Sequence, residues 1–170
     1  MTQLSNLFSL LALVGFMASL IAHLAGYAGI ERPFGFDPWP LHAGIFIVWL
    51  PTILAAQKLS KGFPQSEMWK ASLRGCPNWM RYVLYALFGY AFLSFFAFFL
   101  SIGGSIETEA GTIRGFSGHW LIFYFAAFAV LHSYTKVAEN DTVRRCKNLH
   151  VVEPSSEYCP QCGDKVGRQY

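Results

Sequence analysis

The chain has 170 residues, of which 54% are hydrophobic and only 14% are charged, whereas soluble domains carry about 25% charged residues. The formal net charge is only +3 and the charges form no basic face, so the composition does not favour a nucleic-acid-binding protein. Apolar runs occupy most of the chain, which excludes a large soluble enzyme and favours an integral membrane protein.

Four stretches without charged residues divide the chain. They cover residues 1–30, 38–57, 82–106 and 115–135. Each stretch is long enough for a helix of about 20 residues, which crosses a hydrocarbon core about 30 Å thick. The pattern predicts an all-α membrane protein, a bundle of four transmembrane helices near residues 5–27, 40–57, 80–101 and 116–135. We assign residues 1–140 to this transmembrane domain and residues 141–170 to a separate tail.

The first apolar stretch is interpreted as a membrane span rather than as a cleaved signal peptide. Its leading residues contain no Lys or Arg, and no good Ala-x-Ala cleavage site follows it. Its apolar part is also longer than the usual signal-peptide core of about 7–15 residues. Within it, Ala18, Ala22 and Gly26 are spaced four residues apart, a pattern that lets membrane helices approach closely.

The second span and the connection after it each leave two interpretations open. Pro51 has no backbone N–H to donate inside the second span, which predicts a kink in the helix. The kink either shapes a cavity or is needed for helix packing alone. In the connection, Met68, Trp69 and Leu73 fit one face of a short helix at the membrane interface. An ordered loop with an interfacial Trp accounts for the same residues equally well.

The placement of Lys and Arg predicts the orientation in the membrane. Eleven of the 13 basic residues lie in the connection 58–81 or after residue 135. Because basic loops stay on the cytoplasmic side, we expect both termini in the cytoplasm and the protein in the cytoplasmic (inner) membrane. All four cysteines then lie on the reducing side, where disulfides are rare.

The tail carries four residues with the spacing of a metal site. Cys146, His150, Cys159 and Cys162 form the pattern C-x3-H-x8-C-x2-C. Zinc prefers four tetrahedral thiolate and imidazole ligands, and Gly163 permits the open backbone that a C-x2-C turn needs. The tail is too short to build a core of its own, so a metal is expected to hold it together. If His150 is not a ligand, the fourth position is open or belongs to Cys76.

These tail residues resemble a known type of module. Cys-x3-His, a spacer of Pro, Ser and acidic residues, and Tyr-Cys-Pro-Gln-Cys-Gly resemble the small zinc ribbons that bacteria append to membrane and signalling proteins. The resemblance covers about residues 144–165. It implies a structural zinc site with four protein ligands, which mediates contacts rather than catalysis. The basic residues beside Cys146 are explained by anionic lipid as well as by nucleic acid.

Three histidines lie near the predicted outer ends of three spans. They are His23, His42 and His119, and the alternating span directions place them at one depth. Ionisable side chains inside spans are functional candidates, and three imidazoles could ligate a transition metal. Two could instead bind the iron of haem b axially. In helix count and histidine placement the chain resembles four-helix membrane bundles that carry b-type haem.

A second interpretation of these histidines needs no cofactor. Each would be interfacial, hydrogen-bonded to a loop carbonyl or to Asp37, Glu107 or Glu109. His132 belongs to neither arrangement, because it is 13 residues beyond His119 and lies about 20 Å deeper.

The leading functional hypothesis is a non-enzymatic membrane protein, embedded in the lipid bilayer as an interaction or accessory subunit. Its ribbon would bind a cytoplasmic partner protein or a second copy of the chain. The alternative is a membrane redox protein that uses haem or metal at the three histidines. A small transporter or channel is least favoured. No Asp, Glu, Lys or Arg lies deep in any span, which argues against an ion-coupled transporter.

Overall fold

The computed structural model describes residues 2–61, 63–101, 109–141, 144–148, 150–152 and 156–166. Within these residues the chain forms five α-helices and two short strands. The helices are α1 (Thr2–Tyr27), α2 (Pro40–Leu59), α3 (Met68–Ser72), α4 (Asn78–Ser101) and α5 (Glu109–Asp141). In the tail, strand β1 (Arg144–Arg145) pairs antiparallel with strand β2 (Val151–Val152).

The four long helices are each long and apolar enough to cross a membrane. The qualifying segments are 25 residues long in α1, 20 in α2, 23 in α4 and 30 in α5. This confirms the prediction of four helices that are long and apolar enough to cross a membrane. The short helix α3 lies between the second and third of them.

The last long helix extends beyond the predicted span at both ends. It begins at Glu109 and ends at Asp141, whereas the charge pattern predicted residues 116–135. Arg114 does not end the helix, because its side chain is exposed and its guanidinium lies 5.3 Å from the centre of the Tyr27 ring on α1. A charged residue therefore marks the end of the apolar segment here, not the end of the helix.

The other three long helices pack around α5. Helices α1 and α4 run antiparallel to α5, whereas α2 runs parallel to it. Residue pairs at the two ends of α5 fix these directions: Ser5–Thr135 and His23–Ser117 for α1, His42–Trp120 and Lys58–Tyr134 for α2, and Gly75–Ser133 and Phe98–Phe116 for the chain through α4. The start of α1, the connection before α4 and the end of α5 consequently share one end of the bundle.

A line of small residues forms the contact between α1 and α5. Its members recur at intervals of three and four residues and are buried: Ala12, Gly15, Ser19, Ala22 and Gly26. A Cβ atom on Gly26 would lie 3.2–3.3 Å from backbone atoms of Ala110 and Arg114, so the two backbones approach closely there. Ala18, which the sequence pattern included, is only half-buried. Its neighbour Ser19 is buried in the contact instead.

Tyr124 occupies the centre of the bundle, where α1, α2 and α5 meet. Its side chain is 3% exposed, and its hydroxyl donates a hydrogen bond of 2.7 Å to the carbonyl of Leu41. The ring lies against Gly15 of α1, and the hydroxyl lies against Gly44 of α2. Cβ atoms at these two glycines would overlap Tyr124, so the absence of a side chain makes room for the tyrosine.

The connection between α2 and α4 packs onto α5 instead of lying on the surface as an amphipathic helix. Leu73 and Cys76 are buried, and the Cys76 thiol donates to the carbonyl of Ala129 at 3.1 Å. Trp69 is 41% exposed and packs edge-on against the ring of Tyr85. The predicted common face is therefore not present, because Leu73 turns into the bundle while Trp69 stays at its edge.

Candidate metal site in the tail and the histidines of the bundle

Two tight turns of the tail hold the four predicted metal ligands. The first turn joins β1 to β2, and the backbone N–H of Cys146 donates to the carbonyl of His150 at 3.0 Å. In the second, the N–H of Gly163 donates to the carbonyl of Cys159 at 2.9 Å, and Gly163 has a φ of 75°. That left-handed conformation favours glycine and lets the chain turn directly after Cys162.

The side chains of Cys146, His150, Cys159 and Cys162 converge. Their sulfur and nitrogen atoms all lie within 4.8 Å of one another. The sulfurs of Cys146 and Cys162 are 3.5 Å apart, far longer than a disulfide bond of about 2.05 Å, and all four cysteines of the chain are free. Within the described parts of the chain, this is the only such group of three or more residues that could hold a metal ion.

Cys76 takes no part in this group. Its sulfur is buried against α5, so the alternative in which it replaces His150 is not what the structure contains. Burial raises the pKa of the Cys76 thiol to about 11, so it stays protonated at neutral pH. Burial also acts to raise the pKa of Cys159, but hydrogen bonds with the backbone of Gln161 and Cys162 and with the thiols of Cys162 and Cys146 together lower this pKa below the ordinary cysteine value. The tail cysteine is therefore the better thiolate ligand.

Two polar residues support the group, and the spacing of cysteines did not indicate them. Asp164 Oδ2 accepts hydrogen bonds from Asn148 Nδ2 at 3.1 Å and from the Cys162 thiol at 3.5 Å. Asn148 lies in the first turn and Asp164 follows the second, so the carboxylate ties the two turns together. A small apolar cluster completes the tail, with Cys146, Val152 and Cys159 buried.

The three histidines of the bundle lie at one level but face different neighbours. His23 of α1 contacts Ser117 of α5, and His42 of α2 contacts Trp120 of α5. His119 belongs to α5 itself and lies between Ser117 and Trp120 in the sequence. The His119 ring packs edge-on against Phe95 of α4, with the ring centres 4.7 Å apart. Positions 117, 119 and 120 of α5 therefore contact α1, α4 and α2 respectively, so each imidazole has a different packing partner.

Hydrogen bonds occupy ring nitrogens that a metal or haem would need. His23 Nδ1 is bonded to the Ser117 hydroxyl at 2.6 Å, and its Nε2 is bonded to the Tyr90 hydroxyl at 2.5 Å. His42 Nδ1 accepts from the indole N–H of Trp120 at 3.0 Å. The described residues thus do not gather His23, His42 and His119 into one ligand set.

His119 lies deeper in its helix than the sequence pattern predicted. It is ten residues beyond Glu109, the first residue of α5, and not at a helix start. Its Nδ1 is buried and makes no hydrogen bond with a described residue. Asp37 accepts from the backbone N–H of Trp39, and Glu107 lies outside the described residues.

The hydrogen bonds of His23 and His42 predict a protein without bound haem. We expect no Soret band in the absorbance spectrum of the purified protein, either oxidised or reduced with dithionite. A Soret band that shifts on reduction and disappears in His42→Ala, but not in His132→Ala, would contradict this prediction.

Comparison of the chain with protein-family models, curated proteins and solved structures found no match. Its class is therefore defined by its own fold and site. It is a helical protein with four helices able to cross a membrane, and its tail gathers three cysteines and one histidine into a group that could hold a metal ion.

Proposed function

We propose that the chain is a non-enzymatic subunit of the cytoplasmic membrane, whose tail is a structural zinc ribbon that binds a partner protein. The observation that carries the proposal is the convergence of four donor atoms from two tight turns. Four protein ligands complete the coordination of a structural zinc ion and leave no position for water or substrate. Such a site supports a folded contact surface rather than catalysis.

The donor set and its spacing both favour zinc. With Zn–S bonds of 2.3 Å and Zn–N bonds of 2.0–2.1 Å, tetrahedral geometry separates two sulfurs by about 3.8 Å, and a sulfur from a nitrogen by about 3.6 Å. The Cys146–Cys162 sulfurs are 3.5 Å apart, and Cys159 Sγ is 3.7 Å from His150 Nδ1. Shifts of a few tenths of an ångström would bring these pairs to that geometry.

The distribution of basic residues supports a cytoplasmic tail. The connection before α4 and the end of α5 lie at the same end of the bundle, and 11 of the 13 Lys and Arg residues belong to these parts of the chain or the tail. We expect a reporter domain fused after Tyr170 to stay in the cytoplasm of a bacterial host. Alkaline phosphatase fused there should be inactive, and the same enzyme inserted at Gly35 should be active. The reverse pair of activities would contradict the orientation.

The tail presents an exposed aromatic side chain beside its ligands. Tyr158 is 56% exposed, directly precedes Cys159, and lies opposite Lys165 in an antiparallel backbone bridge. A metal that fixes Cys159 would also fix the backbone that carries this tyrosine. A rigid aromatic side chain of this kind is suited to the centre of a protein–protein contact.

We expect a photo-crosslinking residue at position 158 to capture a partner only when the metal site is intact. The variant should give a discrete crosslinked product in cells, and adding Cys159→Ser should abolish it. The same crosslinker at Phe63, which is exposed in the α2–α4 connection, is the matched control. A product of twice the chain mass identifies a second copy as the partner. Absence of any product, or products unchanged by Cys159→Ser, would overturn the proposal.

A further inference from the structure

A groove runs along the bundle surface between α1 and α2, at the end that carries the basic connection. Its volume is about 100 Å³. Leu131 and Ala55 are buried at its base, whereas Leu4 and Leu54 are more than half exposed at its edges. The groove is thus open along its side to whatever surrounds the helices.

The groove has apolar walls and one charged residue. Phe8 and Pro51 contribute to the walls, and the only polar side chains in its lining are Ser5, Lys58 and Tyr134. The Ser5 hydroxyl already lies 3.5 Å from that of Thr135. Because Pro51 lacks an N–H, α2 has no hydrogen bond from this position to the carbonyl one turn earlier, and proline in a helix interior disturbs its packing. The sequence pattern left the role of this proline open, and the structure places it in the wall of a groove.

Lys58 lies where the groove reaches the end of α2. Its ammonium group is 5.7 Å from the centre of the Tyr134 ring. Pro51 and Lys58 are seven residues apart, so the groove follows α2 for about 10 Å. An apolar channel of that length, which ends at a cation, matches a molecule with an acyl chain and an anionic head.

We propose that this groove binds one anionic glycerophospholipid, with an acyl chain along Phe8, Pro51 and Leu54 and the phosphate at Lys58. Lys58 is in the last turn of α2, at the end of the bundle where the basic connection lies. The basic residues attract negatively charged lipid to this end of the bundle, and the groove provides a defined binding site for one such lipid. The inference is independent of the metal in the tail.

Native mass spectrometry of the detergent-purified, delipidated chain tests the site. The protein is titrated separately with phosphatidylglycerol and phosphatidylcholine of identical acyl chains. One Lys near an anionic surface contributes about fivefold in affinity, so the first phosphatidylglycerol should bind about fivefold more tightly. Lys58→Gln should remove this preference, whereas Lys61→Gln, a neighbouring exposed lysine outside the groove, should keep it.

A second pair of variants tests the acyl-chain part of the groove. Leu54→Trp should fill the groove and reduce binding of the first lipid of either headgroup. Leu93→Trp, on the exposed face of α4, should not. Equal affinities for the two lipids in the wild-type chain would overturn the proposal, as would equal losses in Lys58→Gln and Lys61→Gln. If inorganic phosphate binds and competes with the lipid, the site is a simple anion site and the lipid proposal is wrong.

Discussion

The purified chain should carry one zinc ion, and Cys159→Ser should carry none after dialysis. Cys159 is 2% exposed, and its sulfur lies 3.7 Å from His150 Nδ1 within the group of four converging side chains. Loss of a residue that merely supports a ligand lowers metal affinity by about 10–100-fold, so loss of a ligand itself should exceed that. Elemental analysis by mass spectrometry, together with chelator competition, measures both stoichiometry and affinity.

Cys76→Ser is the matched control for this experiment. The thiol of Cys76 lies outside the tail and donates to the carbonyl of Ala129, and a serine hydroxyl can donate to the same atom. Zinc content should therefore stay at one ion per chain. Asp164→Asn, which keeps the size of the side chain that joins the two turns, should retain zinc with affinity lowered by about 10–100-fold. A wild-type chain without zinc, or equal losses in the two cysteine variants, would refute the zinc assignment.

A single methyl group at Gly15 should destabilise the helix bundle. In Gly15→Ala the new Cβ would overlap the ring of Tyr124, which cannot move away easily because it is buried and bonded to Leu41. Overpacking of this kind typically costs about 1–3 kcal/mol. Thermal unfolding in detergent, followed by circular dichroism, should show a lower midpoint temperature.

Gly89→Ala on α4 separates this steric effect from the general effect of glycine in a helix. A Cβ at Gly89 would meet no atom within 4 Å. Alanine is favoured over glycine inside a helix by about 0.5–1 kcal/mol, so this variant should unfold at the same or a slightly higher temperature. If Gly15→Ala behaves like Gly89→Ala, the close fit of Tyr124 between α1 and α2 is not important for stability.

The number of spans could be predicted from sequence because hydropathy depends only on residue type along the chain. Their ends could not, because a charged residue such as Arg114 stays helical when its side chain finds an aromatic ring on a neighbouring helix. Ala22 and Gly26 of the predicted small-residue pattern lie on the face that α1 buries, whereas Ala18 is only half-buried. Gly15 and Ser19 lie on this face because of the shape of Tyr124 and the path of α5, which no local spacing encodes.

The two candidate sites differ in how much of them the sequence could reveal. The ligands in the tail lie within 17 positions, from Cys146 to Cys162, so their spacing alone determines most of the geometry. The three histidines belong to three helices, and their common level follows from the alternating helix directions. The residues that each imidazole contacts depend on helix rotation, which the pattern of apolar residues left undetermined. Asn148 and Asp164 were missed because polar residues in turns are common and carry no ligand spacing.

The central position of α5 has a consequence for biosynthesis. Translation proceeds from the N-terminus, so α1, α2 and α4 are synthesised before the helix against which all of them pack. Until α5 is synthesised, the small-residue face of α1 has no partner helix, and α4 lacks the helix against which it packs. The bundle can therefore be completed only after its last long helix has been synthesised.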